Sequence, residues 1–405
     1  MNKDIGIYIH IPFCTSKCYY CDFTSFVCKN ETNIENYINA VCNEILQNAE
    51  ILSEYNISTI YFGGGTPSYI DSKYIEKILD TLRLFSVNVE DIKSSLKEIT
   101  IEVNPNSITE EKLKSYKKSG INRISIGLQS LNDTVLKTIG RKHTYSDFLE
   151  VLELCKKVGI YNISVDLIYP LPGLTLDEFK RNIEKLMSIS EEYNIKHISI
   201  YNLEIHENTK LEFLINEKFV EMVDEDTEYL MKEFLEDTLL KNGYNKYEIS
   251  NFSKDGFESK HNLNYWNQGE YLGFGVSASS FFSGTRYTNT NNFDKYIYNI
   301  NENKSNIIES EALDKLALMK EYVILRLRLK DGVNKEKFIK RFNTDIYDIF
   351  GIELNELLEK RLIKQENNNI FLTKRGTEVA NLVWEKFIWY EKVIIYEEFF
   401  YYRWK

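Results

Sequence analysis

The chain has 405 residues, of which 43% are hydrophobic, and its formal net charge is -11. This length and hydrophobic content predict one large domain with a smaller one appended. The acidic balance argues against a nucleic-acid partner, because such a partner favours a basic face. No apolar run in the sequence is long enough to span a membrane, and the N-terminus lacks the apolar core of a signal peptide, so we expect a cytoplasmic protein without a transmembrane segment.

The first predicted strand leads directly into a cysteine-rich loop. The β-branched run IGIYIHI, residues 5–11, predicts a strand that ends at Pro12, which lacks an amide donor. Cys14, Cys18 and Cys21 follow in the spacing Cys-x-x-x-Cys-x-x-Cys. Three thiolates on so short a loop can hold an iron–sulfur cluster that is one ligand short of the usual four. The open iron is then a position where a substrate or cofactor can bind.

Two other interpretations of these cysteines are weaker. A structural zinc site needs four ligands, and the nearest candidate for the fourth is His10, which lies within the preceding apolar run. A disulfide framework is typical of short secreted chains, whereas this long chain has only six cysteines. The spacing therefore favours a cluster.

Strand-like and helical patterns then alternate along the first half of the chain. The strand-like runs lie at residues 5–11, 59–62, 99–103, 123–128, 163–169 and 197–203. The helical patterns lie at residues 33–51, 72–85, 109–119, 145–158 and 175–189. This alternation predicts right-handed crossovers and a parallel sheet. Six such units predict an incomplete (β/α)6 TIM-like barrel, with its site at the C-terminal ends of the strands.

Polar and glycine residues fall where these strands end. The segment GGGTPS, residues 63–68, follows the second strand, and its glycines allow a ligand to approach the backbone closely. Other polar side chains at or near strand ends are Glu102, Gln129, Arg141, His143 and Asp166. Each alone is typical of an ordinary structural residue. Their shared position predicts a polar lining for a bound cofactor.

A set of motifs spread from Tyr8 to Trp266 resembles the oxygen-independent coproporphyrinogen III oxidase family of the radical S-adenosylmethionine (SAM) superfamily. The motifs are YIHIPFC, YFGGGTPS, ITIEVNP, SIGLQSLND, GRKH, DLIYPLPG and HNLNYW. The resemblance implies that the three cysteines hold a 4Fe-4S cluster, that SAM binds its open iron, and that an electron donor reduces it. By motif, it implies that the residues in contact with SAM are Tyr8, Tyr20, Gly64, Gly65, Thr66, Glu102, Gln129, Arg141 and Asp166.

Two features distinguish branches of that family. Its oxidases carry a fourth cysteine two residues after the third, where this chain has Phe23. HNLNYW, residues 261–266, resembles the HNxxYW signature of the heme chaperone branch, HemW, which implies that His261 binds heme iron while Tyr265 and Trp266 pack on the macrocycle. From the chemistry alone, an ordinary core or surface histidine is the favoured interpretation of His261, and the motif reverses that preference.

The resulting functional expectation is a heme chaperone that binds a 4Fe-4S cluster, SAM and heme and delivers heme to an acceptor protein. The alternative is an oxygen-independent coproporphyrinogen III oxidase, which decarboxylates the propionates of its substrate. A third alternative is a radical SAM enzyme that acts on another substrate.

The last third of the chain has a different pattern. Residues 269–284 predict glycine-punctuated strand and loop, and the Asn-rich residues 289–306 predict a linker. Helices at 313–327, 335–342 and 346–360, a hairpin at 361–373 and a final helix to 387 predict a winged-helix-like module. We therefore expect a partial barrel at 1–290 with its cluster loop at 14–21, and a C-terminal domain at 307–388. A tail at 389–405 has no assigned role; its aromatic, amphipathic sequence favours packing as a helix or mediating an association. We also expect a homodimer as a candidate assembly.

Overall fold

In the computed structural model of the protein, residues 3–85 and 97–388 are described, and one large sheet runs through most of them. The strands are β1 (Lys3–Ile11), β2 (Phe13–Cys14), β3 (Phe26–Val27), β4 (Tyr55–Gly64), β5 (Glu98–Val103), β6 (Arg123–Gln129), β7 (Ile163–Tyr169), β8 (His197–Asn202), β9 (Asn245–Lys246), β10 (Asn251–Ser253), β11 (Tyr271–Phe274), β12 (Ser279–Phe282), β13 (Thr285–Asn289), β14 (Ile307–Ala312), β15 (Val333–Asn334), β16 (Ile363–Glu366) and β17 (Asn369–Leu372). The helices are α1 (Glu31–Gln47), α2 (Ala49–Glu54), α3 (Ser72–Arg83), α4 (Glu110–Lys118), α5 (Asp133–Thr138), α6 (Tyr145–Val158), α7 (Leu176–Glu192), α8 (Lys210–Asn216), α9 (Glu225–Lys241), α10 (Lys260–Trp266), α11 (Phe293–Asn301), α12 (Lys315–Leu327), α13 (Lys335–Phe342), α14 (Ile346–Glu359), α15 (Lys374–Glu378) and α16 (Ala380–Glu385).

The six predicted strands form the parallel centre of the sheet. They lie side by side in the order β1-β4-β5-β6-β7-β8, and each pair is parallel. One face of these strands is buried in the main core: in β1 the side chains of Ile5, Ile7, Ile9 and Ile11, which share that face, are all fully buried. Burying one such side chain contributes about 1.5 to 3 kcal/mol. The predicted parallel (β/α) core is confirmed.

The helices between these strands begin at side-chain caps. At α6 the hydroxyl of Thr144 and the carboxylate of Asp147 form a reciprocal capping box, and Thr175 and Glu178 do the same for α7. Such caps satisfy amide groups that have no partner within the helix. The apolar faces of the helices pack against the sheet, which explains why their periodicity was readable in the sequence.

The sheet continues beyond the six units on both sides. A seventh parallel strand, β11, pairs with β1, and the antiparallel strands β12, β13 and β14 follow it. At the other edge, β10 and β9 pair antiparallel to β8. Within the described residues the terminal strands β14 and β9 do not pair with each other. The barrel is therefore open, as an incomplete barrel requires.

The prediction of a linker at 289–306 is wrong. Residues 293–301 form helix α11, whose Tyr296 and Ile300 are buried in the main core against α1. The asparagines that suggested a solvated segment have structural roles: Asn292 caps α11 and Asn289 Nδ2 donates to Glu44 at 2.6 Å. Strand β14 then pairs with β13, so the large sheet extends past residue 290 to Ala312.

The C-terminal residues form a second, smaller core. Helix α12, strand β15, helices α13 and α14 and the hairpin β16–β17 follow one another, and the three strands form a separate sheet in the order β15-β17-β16. This is the predicted winged-helix-like arrangement. A small cluster of Trp266, Leu325 and Leu329 joins it to the barrel. The predicted tail at 389–405 lies outside the described residues.

Across the described ranges, no helix has both the length and the apolar character needed to cross a membrane.

Candidate functional site

A cavity of about 1500 Å³ opens at the C-terminal ends of the parallel strands. Its strand-end lining consists of Gly64, Glu102, Gln129, Tyr169 and Asn202. Cavities that hold one drug-sized ligand usually have roughly 300 to 1,000 Å³. This cavity therefore has room for more than one small molecule.

The three loop cysteines, Cys14, Cys18 and Cys21, all line this cavity. The Sγ atom of Cys14 lies 3.5 Å from Oγ1 of Thr66, and Arg141 Nη1 donates to Sγ of Cys18 at 3.6 Å. Burial, followed by the charge of Cys18, raises the pKa of Cys21 to about 12. A bound metal centre reverses this effect, because a coordinating thiol is deprotonated.

No three His, Cys, Asp or Glu side chains in the described ranges converge on a position for one metal ion. A 4Fe-4S cluster does not need that convergence, since its thiolates bind different irons. The other cysteines lie elsewhere: Cys28 is half-buried with its thiol near the carbonyl oxygen of Asn30, while Cys42 and Cys155 are buried in the core. The structure thus groups the three cysteines that the spacing singled out.

The zinc alternative requires His10, which is engaged elsewhere. Its Nδ1 lies 3.1 Å from the hydroxyl of Tyr8, and its Nε2 lies 2.9 Å from the carbonyl oxygen of Thr24. Burial lowers its pKa to about 4, so the ring is neutral. With both ring nitrogens occupied, His10 supports the cluster loop and is not available as a fourth metal ligand.

The glycine loop after β4 is tied to the cluster loop. The amides of Gly65 and Thr66 donate to the carbonyl oxygens of Ile11 (2.8 Å) and Phe13 (2.9 Å). A Cβ on Gly64, whose φ is +107°, would lie 2.6 Å from the His10 ring. A Cβ on Gly65 would lie 2.8 Å from the backbone of Pro12. Glycine is required at these two positions because the loop after β4 packs closely against the segment between β1 and β2. This close packing places Thr66 beside Cys14.

Glu102 and Asp166 form an acidic wall of the cavity. The hydroxyl of Tyr61 donates to Oε1 of Glu102 at 2.8 Å, and Ser125 Oγ donates to Asp166 Oδ2 at 2.9 Å. Burial, with a smaller effect of the Asp166 charge, raises the pKa of Glu102 to about 7. Burial also raises the pKa of Asp166. Two half-buried carboxyl groups at one wall favour a cationic ligand group.

Gln129 and Arg141 contribute polar atoms that lack partners among the described residues. Gln129 Oε1 and Arg141 Nε are both buried and unbonded. Gln129 ends β6 with a φ of 65°, a conformation unusual for a residue other than glycine. Buried polar atoms are normally hydrogen-bonded, so these two have unused capacity to bind a ligand in the cavity. The cavity thus offers a hydrogen-bond acceptor, a donor and an acidic wall, which fit the amino-acid end and ribose of SAM. The three thiols that fit the cluster lie in the same cavity.

Tyr8 and Tyr20 also line the cavity, which accounts for all the residues that the motifs assigned to SAM. His143, in contrast, does not line the cavity. It is buried, with Nε2 3.1 Å from the carbonyl oxygen of Leu128, so its predicted place in the polar lining is wrong. It helps to hold the connection that carries Arg141.

His261 lies at the cavity wall, at the start of α10, and is only 1% exposed. Its Nδ1 is 2.8 Å from Thr59 Oγ1 and its Nε2 is 2.7 Å from the hydroxyl of Tyr265. The helix itself starts at the Glu98 carboxylate, which accepts from the amides of Lys260 (3.0 Å) and His261 (3.2 Å). Burial lowers the pKa of His261 to about 3, so the ring is neutral.

Other cavity residues carry no local signal in the sequence. Tyr61, Arg328 and Trp384 belong to three different elements, and each becomes part of the wall only through tertiary packing. Tyr61 opens the motif YFGGGTPS, but the resemblance assigns it no role, and no motif marks the other two.

Comparisons with known proteins agree with this architecture. Residues 8–186 match the family model of the Radical SAM superfamily, and residues 313–379 match that of the HemN C-terminal domain. The solved structure of coproporphyrinogen III oxidase (HemN) from Escherichia coli is similar with a TM-score of 0.82 at 22% identity, covering 95% of this chain and 90% of that one. At that identity the likeness shows the fold.

Sequence relatives are closer. A protein named heme chaperone HemW from Lactococcus lactis is 37% identical, over 96% of this chain and 98% of that protein. Another of the same name from Bacillus subtilis is 33% identical, over 94% of this chain and 98% of that protein. The chain therefore belongs to the radical SAM superfamily and, within it, to the family of the heme chaperone HemW.

Proposed function

We propose that this protein is a heme chaperone of the radical SAM type, which binds heme and delivers it to an acceptor protein. The observation that carries the proposal is the similarity over nearly the full length to relatives named heme chaperone HemW. The family implies a 4Fe-4S cluster and SAM as cofactors. A cytoplasmic location, an electron donor for the cluster and a possible homodimer belong to the same proposal.

Within it, the three loop cysteines hold the cluster and Thr66 and Arg141 stabilise their thiolates. Glu102 binds the cationic amino group of SAM, while Gln129 and Asp166 accept hydrogen bonds from its polar groups. Together, cluster and SAM supply one-electron chemistry when both are bound. The chain's own contribution is to orient SAM and to keep its charged groups in a buried, preorganised wall.

Heme binding is assigned to the wall around α10. Tyr265 supplies aromatic surface and His261 supplies a neutral imidazole, whereas Trp266 is 3% exposed and packs against Leu325 and Leu329. For His261 to bind iron, its Nε2 must exchange the Tyr265 hydroxyl for the metal. Tyr265 lines the same cavity, so its ring can contact the bound heme.

The oxidase alternative is disfavoured at Phe23. This side chain lines the cavity and is 37% exposed, at the position where the resemblance places the oxidases' fourth cysteine. A phenyl ring offers neither a metal ligand nor a proton donor. The likeness to the solved oxidase concerns the fold and does not favour oxidase activity.

Anaerobic reconstitution of the cluster followed by two assays tests the proposal. Titration with heme should give a saturable change in heme absorbance. Incubation with coproporphyrinogen III, SAM and a reductant should leave the substrate unchanged. Robust decarboxylation, or the absence of saturable heme binding, would assign the protein to the oxidase or to another radical SAM function.

A further inference from the structure

The end of the cavity nearest the C-terminal module contains an arginine that forms no ion pair with any carboxylate of the described residues. Arg328 follows helix α12, lines the cavity and is half-buried. Among the described residues it forms no ion pair and no side-chain hydrogen bond, and its Nε is buried without a partner. A buried charge normally has a partner, because removing it from water is costly. The arrangement therefore indicates an absent anion.

Two tryptophans hold this guanidinium in place. Its central carbon lies over the ring of Trp266, 4.4 Å from the ring centroid, and over the ring of Trp384, 5.1 Å away. The neighbouring backbone is also held, because Lys330 N donates to the carbonyl oxygen of Tyr247 at 3.0 Å. Contacts between the cation and the ring faces do not use its N–H groups in conventional hydrogen bonds, so these donors can bind a ligand. The N–H edge of a guanidinium matches a carboxylate, which accepts two parallel hydrogen bonds.

The surrounding wall fits an anionic group on a large apolar body. Apolar side chains from three elements line the same cavity as Arg328: Leu235, Ile324, Leu382 and Ile388. The nearby acids are Glu248 and Glu204, whose charges act on Arg328 without forming an ion pair with it. Among the described residues, Glu248 is hydrogen-bonded through Oε1, which accepts from the amide of Ser250 at 3.0 Å, and its Oε2 forms no hydrogen bond with Arg328. The cationic edge thus remains available.

We propose that Arg328 binds a propionate carboxylate of heme at the end of the cavity formed with the C-terminal module. This inference rests on the proposed heme chaperone function. It gives the C-terminal module a direct part in heme recognition, since Trp384 and Ile388 close this end of the cavity. It also assigns the two ends of the cavity to different ligands, with SAM at the cysteine loop and a propionate at Arg328.

The test compares heme with heme dimethyl ester, in which both propionates are neutral. Reconstituted full-length protein is titrated with each ligand by absorbance. A charge-assisted hydrogen bond of the expected strength makes heme bind about 10- to 150-fold more tightly than the ester. Arg328→Gln should bind heme and ester equally, and Arg328→Lys should retain part of the preference.

The matched control is Arg341→Gln. Arg341 also lies over two aromatic rings, those of Tyr322 and Phe342, but it is outside the cavity lining. Its substitution should leave the preference for heme over the ester intact. SAM affinity, measured by calorimetry, should be unchanged in Arg328→Gln.

Each outcome of these titrations supports or contradicts the role of Arg328. An unaltered preference for heme in Arg328→Gln, or equal binding of heme and ester by the wild type, overturns the role of Arg328 and leaves the chaperone function standing. A loss of SAM affinity with unaltered heme binding assigns the carboxylate to SAM instead. A wild type that binds neither porphyrin overturns the proposed function as well. If Arg328→Gln does not fold, Glu248→Gln decides: removing this nearby negative charge should widen the preference, and an unchanged preference overturns the proposal.

Discussion

Replacing Glu102 with Gln removes a negative charge from the cavity while keeping its shape. The hydrogen bond from Tyr61, at 2.8 Å, can be retained because the Gln carbonyl oxygen also accepts. If the carboxylate binds the cationic amino group of SAM, its loss should cost about 1.5 to 3 kcal/mol, which is roughly a 10- to 150-fold weaker Kd. Isothermal titration calorimetry with the anaerobically reconstituted protein measures this directly.

The pH dependence of SAM binding provides a second signature of Glu102. Because its pKa is about 7 in the free protein, the group is mostly protonated at pH 6 and mostly ionised at pH 8. Only the ionised form offers a charge, so wild-type affinity should fall about tenfold between pH 8 and pH 6 relative to the Gln variant. The variant serves as the reference because the amino group of SAM also titrates near pH 8.

A matched control for this experiment is Glu44→Gln. Glu44 is another buried carboxyl group whose pKa burial raises to about 7, but it lies outside the cavity lining. Its substitution should leave SAM binding and its pH dependence unchanged. If Glu102→Gln binds SAM within about twofold of the wild type, with the same pH profile, Glu102 does not hold the charged end of SAM.

Three further predictions follow from the same geometry. Replacing any one of the three loop cysteines with Ala should abolish the iron–sulfur absorbance of the reconstituted protein, whereas Ala at any of the other three should preserve it; a requirement for Cys28 would mean a closed, four-cysteine site. His261→Ala should change the heme absorbance and weaken heme binding while the cluster absorbance persists, and a heme spectrum indifferent to the change would remove His261 as a ligand. Burial raises the pKa of Glu44 from its ordinary value of 4.5 to about 7, so the folded state binds this proton more tightly than the unfolded state does. The stabilisation that the bound proton provides is therefore lost as the pH rises through about 7. In urea unfolding of the cluster-free protein, Glu44→Gln should therefore gain stability relative to the wild type between pH 5 and pH 8, and a constant difference would contradict the burial argument.

Much of the fold could be predicted because its signals are local. The β-branched runs of the six parallel strands and the 3.6-residue period of their helices lie within short windows, and caps such as Thr144 mark the helix starts. The three loop cysteines are equally local, since they lie within eight residues of one another on a single loop. Alternation of strand and helix then leaves few topologies, because crossovers are right-handed.

Other features were decided only by packing. Strand β11 lies beside β1 although the two are far apart in the sequence, and nothing in its short glycine-rich segment identifies that neighbour. The Asn-rich residues 289–306 have the composition of a linker, yet the buried Glu44 and the exposed start of α11 each need an amide partner. Composition alone does not distinguish an asparagine that faces water from one that faces a buried carboxyl group.

The cavity shows the same division between sequence and tertiary structure. The sequence by itself determined which residues end the strands and which cysteines share a loop, because residues that are close together along the backbone are also close together in space. Only the tertiary structure decided that both ring nitrogens of His261 are bonded and that Arg328 lies over Trp266 and Trp384. The contacts of His261 with Thr59 and of Arg328 with Trp266 and Trp384 join residues that are far apart in the sequence, so their geometry depends on how separate parts of the chain pack together.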